Sequence, residues 1–213
     1  MYHALIDLGD VLINVDNAGH MEALHQLMPG YPAEEIDAVI NKSNEGTALR
    51  HQLDCGTINF DQYQRSFEQM FRVSINPEAF SRVYRDRLTL NTPVSNMFKT
   101  LTEIGAIKKI VIVSNTDPVS WIKAMELLTL ADLQIHCVVA SYMIGKRKPD
   151  PAMFTAALEV ARARPEECCF VDDKIANVDA AQALSIAGIH YRAGNPDAQK
   201  FLIHDLEKLG IRV

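Results

Sequence analysis

In the second half of the chain, short unbroken runs of apolar residues alternate with longer segments whose apolar residues recur at helical spacing. Four of the short runs predict buried β-strands, at residues 109–115, 135–141, 168–173 and 188–192. Near the N-terminus, three apolar residues lead directly into Asp7 and predict the first strand of the chain. Strands that alternate with helices indicate an α/β fold, a Rossmann-like parallel sheet with helices on both faces.

Two of the segments between these strands carry clear helix signals. Asp150 and Pro151 are typical of an N-cap and a first helical position. The helix that they start is expected to bury a face formed by Met153, Ala157, Val160 and Ala161. The helix after residue 176 is expected to bury Val178, Ala181 and Leu184 and to end just before Gly188.

The region directly after the first strand breaks this alternation. Residues 16–88 contain helical patterns such as AGHMEALHQLM and FDQYQRSFEQMF but no convincing buried strand. We therefore predict two domains. The core is formed by residues 1–15 and 89–213, and a helical insertion is formed by residues 16–88.

Polar residues cluster where the predicted strands end. In open parallel sheets, ligands bind beyond the carboxyl ends of the strands. The residues at these ends are Asp7, Gly9, Asp10, Ser114, Asn115, Thr116, Lys148, Asp172 and Asp173. Carboxylates, a hydroxyl group and a lysine are thus expected to converge at one edge of the sheet, which predicts a site.

The three aspartates Asp7, Asp172 and Asp173 predict a metal ion. Their carboxylates would repel one another strongly in a crevice of low dielectric constant, and a divalent cation relieves that repulsion. A site of carboxylates, carbonyl groups and water suits Mg²⁺. The alternative is that one of the pair Asp172 and Asp173 only caps the helix that starts near Ala176.

A lysine beside such a metal indicates a substrate with further negative charge, and the prediction is a phosphoryl group. Lys148 precedes Pro149, which restrains the main chain at this point. Ser114 and the main-chain N–H groups of Asn115 and Thr116 are candidates to hold phosphate oxygens, and Asp7 can attack phosphorus. The alternative for residues 146–148 is a solvated basic turn.

Composition narrows the range of partners. Hydrophobic residues make up 48% and charged residues 23% of the chain, as in ordinary globular proteins, and the formal net charge is −6. An acidic chain argues against nucleic acid or an anionic membrane as the main partner. A small phosphorylated metabolite is compatible with the negative net charge, because a pocket on an acidic protein can be locally positive. No apolar run approaches the ~18 residues that a membrane span requires.

The spacing of the four cysteines is relevant to the cellular compartment of the protein. Cys55, Cys137, Cys168 and Cys169 show no C-x-x-C spacing, and we expect reduced core thiols in a cytoplasmic protein. The apolar N-terminal stretch contains two aspartates and follows no basic leader, so it is not expected to be a signal peptide. The sequence leaves open whether the protein is a monomer or a homodimer.

Four segments together resemble the haloacid dehalogenase-like hydrolases. They are IDLGDVL, VIVSNT, GKRKPDPAMF and FVDDKIANVDAA, and they occur in the order and with the spacing of that family. The helical insertion resembles the C1 cap of the family, and LDCGTINFDQYQRSF within it resembles a common cap segment. Four motifs in register make this resemblance specific, whereas each alone would be weak.

The resemblance implies a role for each matching residue. Asp7 would be the nucleophile, Ser114 would bind the phosphoryl group, and Lys148 would stabilise its charge. Asp172 and Asp173 would complete the Mg²⁺ site together with the main-chain carbonyl of Gly9.

Gly9 departs from the usual pattern of the family. Phosphatases of the family usually have a second aspartate at this position, which acts as general acid and base. The subset with a leucine-glycine pair after the nucleophile, which this chain resembles, includes sugar-phosphate phosphatases. Asp10 is a candidate to take over the proton transfer, and a structural role in the loop is the alternative. Without good protonation of the leaving oxygen, acyl phosphates and anomeric sugar phosphates should be the best substrates.

Two other functions fit the same residues. A 2-haloacid dehalogenase would use Asp7 to attack carbon, but it needs no metal, so the acidic pair would serve no purpose. A phosphate-binding regulatory protein with little turnover is the other alternative, because Gly9 replaces the usual acid.

Polar residues near the expected junction of cap and core are candidates to contact the leaving group, with an exposed helix face as the alternative: Glu45, Arg50, His51 and Gln52. An anomeric sugar phosphate is the leading substrate prediction, followed by nucleotides and flavin phosphate.

Overall fold

The computed structural model describes residues 1–41 and 48–212. Seven strands form in these residues: β1 (Tyr2–Ile6), β2 (Ile13–Val15), β3 (Leu88–Leu90), β4 (Ile107–Ser114), β5 (Ile135–Ala140), β6 (Cys168–Asp172) and β7 (Ala187–His190). Five of them form a parallel sheet in the order β5-β4-β1-β6-β7, which confirms the five predicted strands. The first strand lies at the centre of this sheet.

Both faces of the sheet are buried. Ala4 and Ile6 of β1 contact one apolar cluster, and Leu5 between them contacts another on the opposite face. Successive side chains of a strand point to opposite faces, so a strand covered on both sides is apolar throughout. This explains why the strands appear in the sequence as unbroken apolar runs.

Helices cover both faces of the sheet, as predicted. The helices in the described residues are α1 (Asn17–Leu27), α2 (Ala33–Asn41), α3 (Leu49–Asp54), α4 (Phe60–Phe71), α5 (Pro77–Asp86), α6 (Thr92–Glu103), α7 (Pro118–Leu130), α8 (Ser141–Ile144), α9 (Pro151–Ala161), α10 (Ile175–Ala183) and α11 (Ala198–Lys208). Residues of α6, α7 and α11 pack on the face of Ala4, and residues of α9 and α10 pack on the face of Leu5.

The start of α9 is as predicted, but one of its buried positions is not. The Asp150 carboxylate accepts the main-chain N–H of Ala152 at 2.9 Å and caps the helix. Met153, Ala157 and Ala161 are buried, whereas Val160 is exposed. The prediction for Val160 was wrong because Phe154 completes the buried stripe and Val160 lies at its edge.

The end of α10 also differs from the prediction. Val178 and Ala181 are buried, but Leu184 lies just after the helix and is only partly buried. Gly188 is not a helix cap, since it lies within β7. Ser185 adopts a left-handed conformation with φ of 63°, and there the chain turns from helix to strand.

Helices α1 to α5 form the inserted region and have an apolar cluster of their own. Its largest fully buried side chains are aromatic: Tyr63, Phe67, Phe80 and Tyr84. A separate buried cluster supports the predicted division into a core and a helical cap, with boundaries at residues 16 and 88, which remains a prediction.

The antiparallel pair β2 and β3, which the sequence did not predict, joins the inserted region to the sheet. Leu88 pairs with Val15 and Leu90 pairs with Ile13, so both crossings of the chain lie side by side. The described helices include none with the length and apolar character that crossing a membrane requires.

Candidate active site

Asp7 follows β1 at the carboxyl edge of the sheet and is buried. Its main-chain N–H donates to Val171 of the neighbouring β6 at 2.9 Å, which extends the strand pairing through this residue. The main-chain N–H of Leu8 donates to Asp7 Oδ1 at 2.7 Å. The carboxylate is thereby held in a fixed orientation at the end of the central strand.

Lys148 lies between two carboxylates. Its Nζ is 2.7 Å from Asp7 Oδ1 and 2.7 Å from Asp172 Oδ2, and 1% of its side chain is exposed. The main chain around Lys148 is held by Asn115, whose side-chain amide bonds to both its N–H and its carbonyl group. Lys148 is therefore not part of a solvated turn, although Lys146 beside it is exposed.

Asp172 is fully buried and its carboxylate is surrounded by donors. Asn177 Nδ2 lies 2.9 Å from Oδ1 and 3.0 Å from Oδ2, and the main-chain N–H of Lys174 donates to Oδ1 at 2.8 Å. Lys174 is the N-cap residue of α10 and no described side chain caps the helix with a hydrogen bond, so the capping alternative was wrong for Asp172. Its bond to Lys148 directs Oδ2 into the site as well.

Asp173 completes a cluster of three carboxylates. One oxygen from each of Asp7, Asp172 and Asp173 lies within 4.8 Å of the others. Burial, opposed by Lys148 and reinforced by the neighbouring aspartates, raises the pKa of Asp7 to about 7. Burial also raises the pKa of Asp173. Oxygen ligands this close together, and destabilised as anions, fit a hard divalent cation.

Gly9 and Asp10 line a cavity of about 450 Å³ together with Asp7. We call it the main cavity because Asp7 lines it. Asp10 has a left-handed φ of 57°, and its Oδ1 accepts the main-chain N–H of Val15 at 3.1 Å. A Cβ atom at Gly9 would lie 3.5 Å from Val15 Cγ2, which is an ordinary contact. Neither sterics nor backbone conformation therefore requires glycine at position 9.

Ser114 and Thr116 lie beside this cavity and do not line it. Both border a smaller cavity of about 60 Å³ that also contacts Gly9 and Asn115. The main-chain N–H of Thr116, a predicted phosphate donor, instead donates to Ser141 Oγ at 3.0 Å. The structure thus brings Asp7, Gly9, Asp10, Asn115 and Lys148 around one cavity.

Several lining residues of the main cavity were missed by sequence reasoning. They are Asn17, His20, Met21, Asp37, Ile40, Asn41, Asp54, Arg87, Arg147, Lys174 and Asn177. Asn177 and Lys174 lie within the FVDDKIANVDAA motif. A buried carboxylate at Asp172 needs hydrogen-bond donors, so these nearby residues could have been predicted to lie at the site. The residues from the inserted helices give no such signal, because their approach to the site depends on how those helices pack.

The predicted contact residues of the cap have different positions. Arg50 lines the main cavity, whereas His51 borders a separate cleft and lies 3.4 Å from Arg147. The Gln52 carbonyl accepts the side-chain hydroxyl of Thr57 at 2.9 Å, which is a contact within the cap. Glu45 lies outside the described residues.

Arg50 joins the inserted region to the core. Its Nη2 lies 3.0 Å from Asp117 of the core, and its Nε lies 2.8 Å from Asp54. Asp117 is fully buried. Burial raises the pKa of its carboxyl group, but Arg50 and the hydrogen bonds from Ser120 outweigh burial, so the pKa of Asp117 is lowered. Arg147 adds a second ion pair across the same junction, to Asp54 at 3.4 Å.

Two known proteins are similar in sequence to segments of this chain. A segment of 93 residues, 44% of this chain, is 30% identical to flavin mononucleotide hydrolase 1 of Arabidopsis thaliana and covers 36% of that protein. A segment of 53 residues, 25% of this chain, is 42% identical to the sesquiterpene phosphatase astK of Aspergillus oryzae and covers 27% of it. The chain thus matches less than half the length of each of these relatives.

A solved structure shares the whole fold. The HAD family enzyme BT-2542 of Bacteroides thetaiotaomicron superposes with a TM-score of 0.81 at 22% identity, over 94% of this chain and 98% of that one. The same protein in complex with magnesium and inorganic phosphate has a TM-score of 0.79 over 94% and 99%. The family model for haloacid dehalogenase-like hydrolases matches residues 3–185. The chain therefore belongs to the haloacid dehalogenase-like hydrolases.

Proposed function

We propose that this protein is a Mg²⁺-dependent phosphatase of a small phosphorylated metabolite and acts through an aspartyl-phosphate at Asp7. The observation that carries the proposal is the position of Lys148 Nζ, 2.7 Å from both Asp7 and Asp172. A buried ammonium group between two buried carboxylates suits a site where a dianionic group and a dication meet.

The comparisons support a phosphatase in particular. Two relatives are a flavin mononucleotide hydrolase and a sesquiterpene phosphatase, and the structural neighbour binds magnesium and phosphate. None of these names fixes the substrate of this chain, because the matched segments are partial or of low identity.

The carboxylate cluster fits the metal. Asp7, Asp172 and Asp173 offer only oxygen atoms, which Mg²⁺ prefers, and the resemblance adds the main-chain carbonyl of Gly9. When bound, Mg²⁺ would offset the negative charge of the phosphoryl group and of the three carboxylates.

In the proposed reaction, Asp7 and Lys148 have different roles. Asp7 attacks phosphorus and forms an aspartyl-phosphate, while the bond between phosphorus and the ester oxygen breaks and that oxygen takes up a proton from water. Water then cleaves the aspartyl-phosphate and releases inorganic phosphate. Lys148 holds Asp7 in place and stabilises charge on the transferring oxygens.

The remaining predicted residues have supporting roles in this proposal. Asn115 positions Lys148, Ser114 and Thr116 form the wall behind Gly9, and Asp10 orders the loop after the nucleophile. The protonation of the leaving oxygen is the weak point of this site, because Gly9 supplies no acid. Anomeric sugar phosphates or acyl phosphates, whose leaving groups need little protonation, are therefore the proposed substrates.

A panel of phosphorylated metabolites, assayed with Mg²⁺ and with EDTA, tests the proposal. We expect turnover only with Mg²⁺ and none with Asp7→Asn, and we expect single-turnover quenching to trap phosphate covalently on the wild-type chain. Metal-independent release of halide from a 2-haloacid would instead indicate a dehalogenase. Binding of phosphate and Mg²⁺ without turnover of any substrate would indicate a regulatory protein.

A further inference from the structure

Arg87 occupies the return crossing from the inserted helices to the core. It follows α5 directly and precedes β3, and its main-chain carbonyl accepts the N–H of Asp16 from the other crossing at 2.9 Å. Its side chain lines the main cavity with Asp7 and also the small cavity beside Gly9. The guanidinium is therefore placed on the cap side of the proposed phosphoryl site.

Arg87 has no carboxylate partner among the described residues, unlike the other two arginines of the main cavity. Arg50 pairs with Asp117 and Asp54, and Arg147 pairs with Asp54. The Oγ of Ser120, at 3.5 Å from Nη2, is a distant acceptor for Arg87, and its buried Nε has no hydrogen-bond partner. The carboxylates of Asp54 and Asp117 thus form ion pairs with Arg50 and Arg147, whereas Arg87 forms no ion pair with either.

The surroundings of Arg87 hold it in place without neutralising it. Its guanidinium carbon lies 5.5 Å from the ring centroid of Tyr84, a stacking contact that leaves the positive charge intact. Burial and the nearby Arg50 lower the pKa of Arg87, and Asp117, which already pairs with Arg50, opposes this shift only in part. The adjacent His20 adds no anion, since a histidine is neutral or cationic.

The other acidic groups of the cavity are engaged elsewhere. Asp10 accepts the N–H of Val15, and Asp37 accepts the side-chain amide of Asn41 at 2.7 Å. No ion pair joins either of them to Arg87 in residues 1–41 and 48–212. Within these residues, the guanidinium of Arg87 thus forms no ion pair with a carboxylate.

We propose that Arg87 is a specificity-determining residue that binds a second anionic group, a carboxylate or a phosphate, on the leaving-group side of the substrate. This inference rests on the proposed function, since Lys148 and the metal site already account for the phosphoryl group. A planar guanidinium binds an oxyanion through two parallel N–H groups, which a neutral hydroxyl cannot match. The substrate class is then an anomeric or acyl phosphate that carries a further acidic group.

Matched substrates test this inference through a ratio. We compare kcat/KM for 4-carboxyphenyl phosphate and 1,4-phenylene bisphosphate with that for phenyl phosphate, which is neutral beyond its phosphoryl group. Aryl leaving groups need less protonation than alkyl ones, so the missing acid at Gly9 does not limit this comparison. Wild type should prefer an acidic ester, and Arg87→Gln should reduce that preference roughly thirtyfold or more. Arg82 is an exposed arginine of α5, so Arg82→Gln is the matched control and should leave the ratio at its wild-type value.

The two acidic esters identify the source of the anion, since preference for the carboxylate or for the bisphosphate names the group that Arg87 binds. Equal ratios for wild type and Arg87→Gln, or no preference of wild type for either acidic ester, overturn the inference. If Arg87→Gln does not fold, Arg87→Lys decides instead, with an expected loss of roughly tenfold in the ratio because a lysine keeps the charge but not the paired N–H groups. A wild type that also fails to hydrolyse p-nitrophenyl phosphate with Mg²⁺ contradicts the proposed function itself.

Discussion

The side-chain amide of Asn115 forms two hydrogen bonds with the main chain of Lys148. Nδ2 donates to the carbonyl oxygen at 3.0 Å, and Oδ1 accepts the N–H at 2.8 Å. An amide that matches both groups of one residue fixes its position and orientation, as a neighbouring strand would. Because Lys148 Nζ bridges Asp7 and Asp172, the amide at the end of β4 determines where the ammonium group lies.

Asn115→Ala is therefore expected to lower kcat strongly with a smaller effect on KM. Both main-chain groups of Lys148 lose their partner, and a displacement of about 1 Å in a catalytic group can cost roughly 10²-fold in rate. Steady-state kinetics on p-nitrophenyl phosphate measures the effect. Asn115→Asp keeps the acceptor for the Lys148 N–H and should retain more activity, and the exposed Asn96→Ala is the control. Equal activities of Asn115→Ala and wild type would show that Lys148 is held by other contacts.

Removal of one carboxylate should abolish the response of the protein to Mg²⁺. Binding at about 100 times the dissociation constant stabilises a folded protein by about 2.7 kcal/mol, which corresponds to roughly 5–10 °C in Tm for a chain of this size. Asp173→Asn should show little shift with Mg²⁺ and should be at least as stable as wild type in EDTA, since repulsion within the cluster is reduced. Differential scanning calorimetry measures both effects.

The exposed Asp179→Asn, in α10, is the matched control for the metal experiment and should shift as wild type does. A full Mg²⁺ shift in Asp173→Asn would remove Asp173 from the proposed metal site.

Gly9→Asp should restore a general acid to the site. The Cβ position is free of close contacts and the backbone at Gly9 is compatible with any residue, so the substitution should fold. A well-placed acid accelerates proton transfer roughly 10²–10⁴-fold, and only leaving groups that need a proton benefit. The rate on an alkyl phosphate should therefore rise relative to that on acetyl phosphate. Gly9→Asn, of the same size but without an acidic proton, should leave this ratio low; an equal rise in both variants would contradict the acid role.

Asp10→Asn should retain activity within about threefold. Its Oδ1 accepts the Val15 N–H, a bond that an asparagine also makes, and asparagine tolerates the left-handed conformation at this position. Asp10→Ala, which cannot accept this hydrogen bond, should lose about 1 kcal/mol of unfolding free energy. A loss of more than tenfold in kcat for Asp10→Asn with unchanged stability would instead support Asp10 as the acid that replaces the missing aspartate.

The site could be predicted from the sequence only where the sheet alone determines it. Asp7, Asp172 and Asp173 lie together because parallel strands end at one edge, and strand ends are visible in the apolar pattern. Lys148 follows α8 and is positioned by Asn115, which the apolar pattern does not reveal. Thr116 shows where this reasoning stops. The direction of a main-chain N–H group one or two residues beyond a strand depends on the conformation of the loop. The N–H of Thr116 donates to Ser141 Oγ, an acceptor that the sequence does not reveal.

The cap side of the cavity could not be predicted for a related reason. His20 and Arg87 come from α1 and from the end of α5, and they meet over the core only because both helices pack on the cap's aromatic cluster. The β2 and β3 pair, which fixes the two crossings, has three residues in each strand. So short a strand carries too little alternation to be recognised.

The stability of the protein should fall in mild acid because of His20. This side chain is buried against Tyr84, and burial, reinforced by Arg87, lowers its pKa to about 3, although the Val83 carbonyl and Asp117 act in the opposite direction. A histidine with a lowered folded-state pKa stabilises the protein above its unfolded pKa of 6.5, and this stability is lost as the pH falls towards 3. Between pH 7.5 and pH 5.0 the loss from His20 should be about 2 kcal/mol.

His20→Gln should remove this part of the pH dependence, because glutamine does not titrate. Urea unfolding at pH 7.5 and pH 5.0 measures it as the difference between the two free energies of unfolding, compared for variant and wild type. The comparison also cancels the contribution of Asp7, whose raised pKa acts in the opposite direction. The exposed His204→Gln is the control and should keep the wild-type difference. If His20→Gln loses as much stability in acid as wild type does, His20 is protonated in the folded protein without cost, and the cap must open around it.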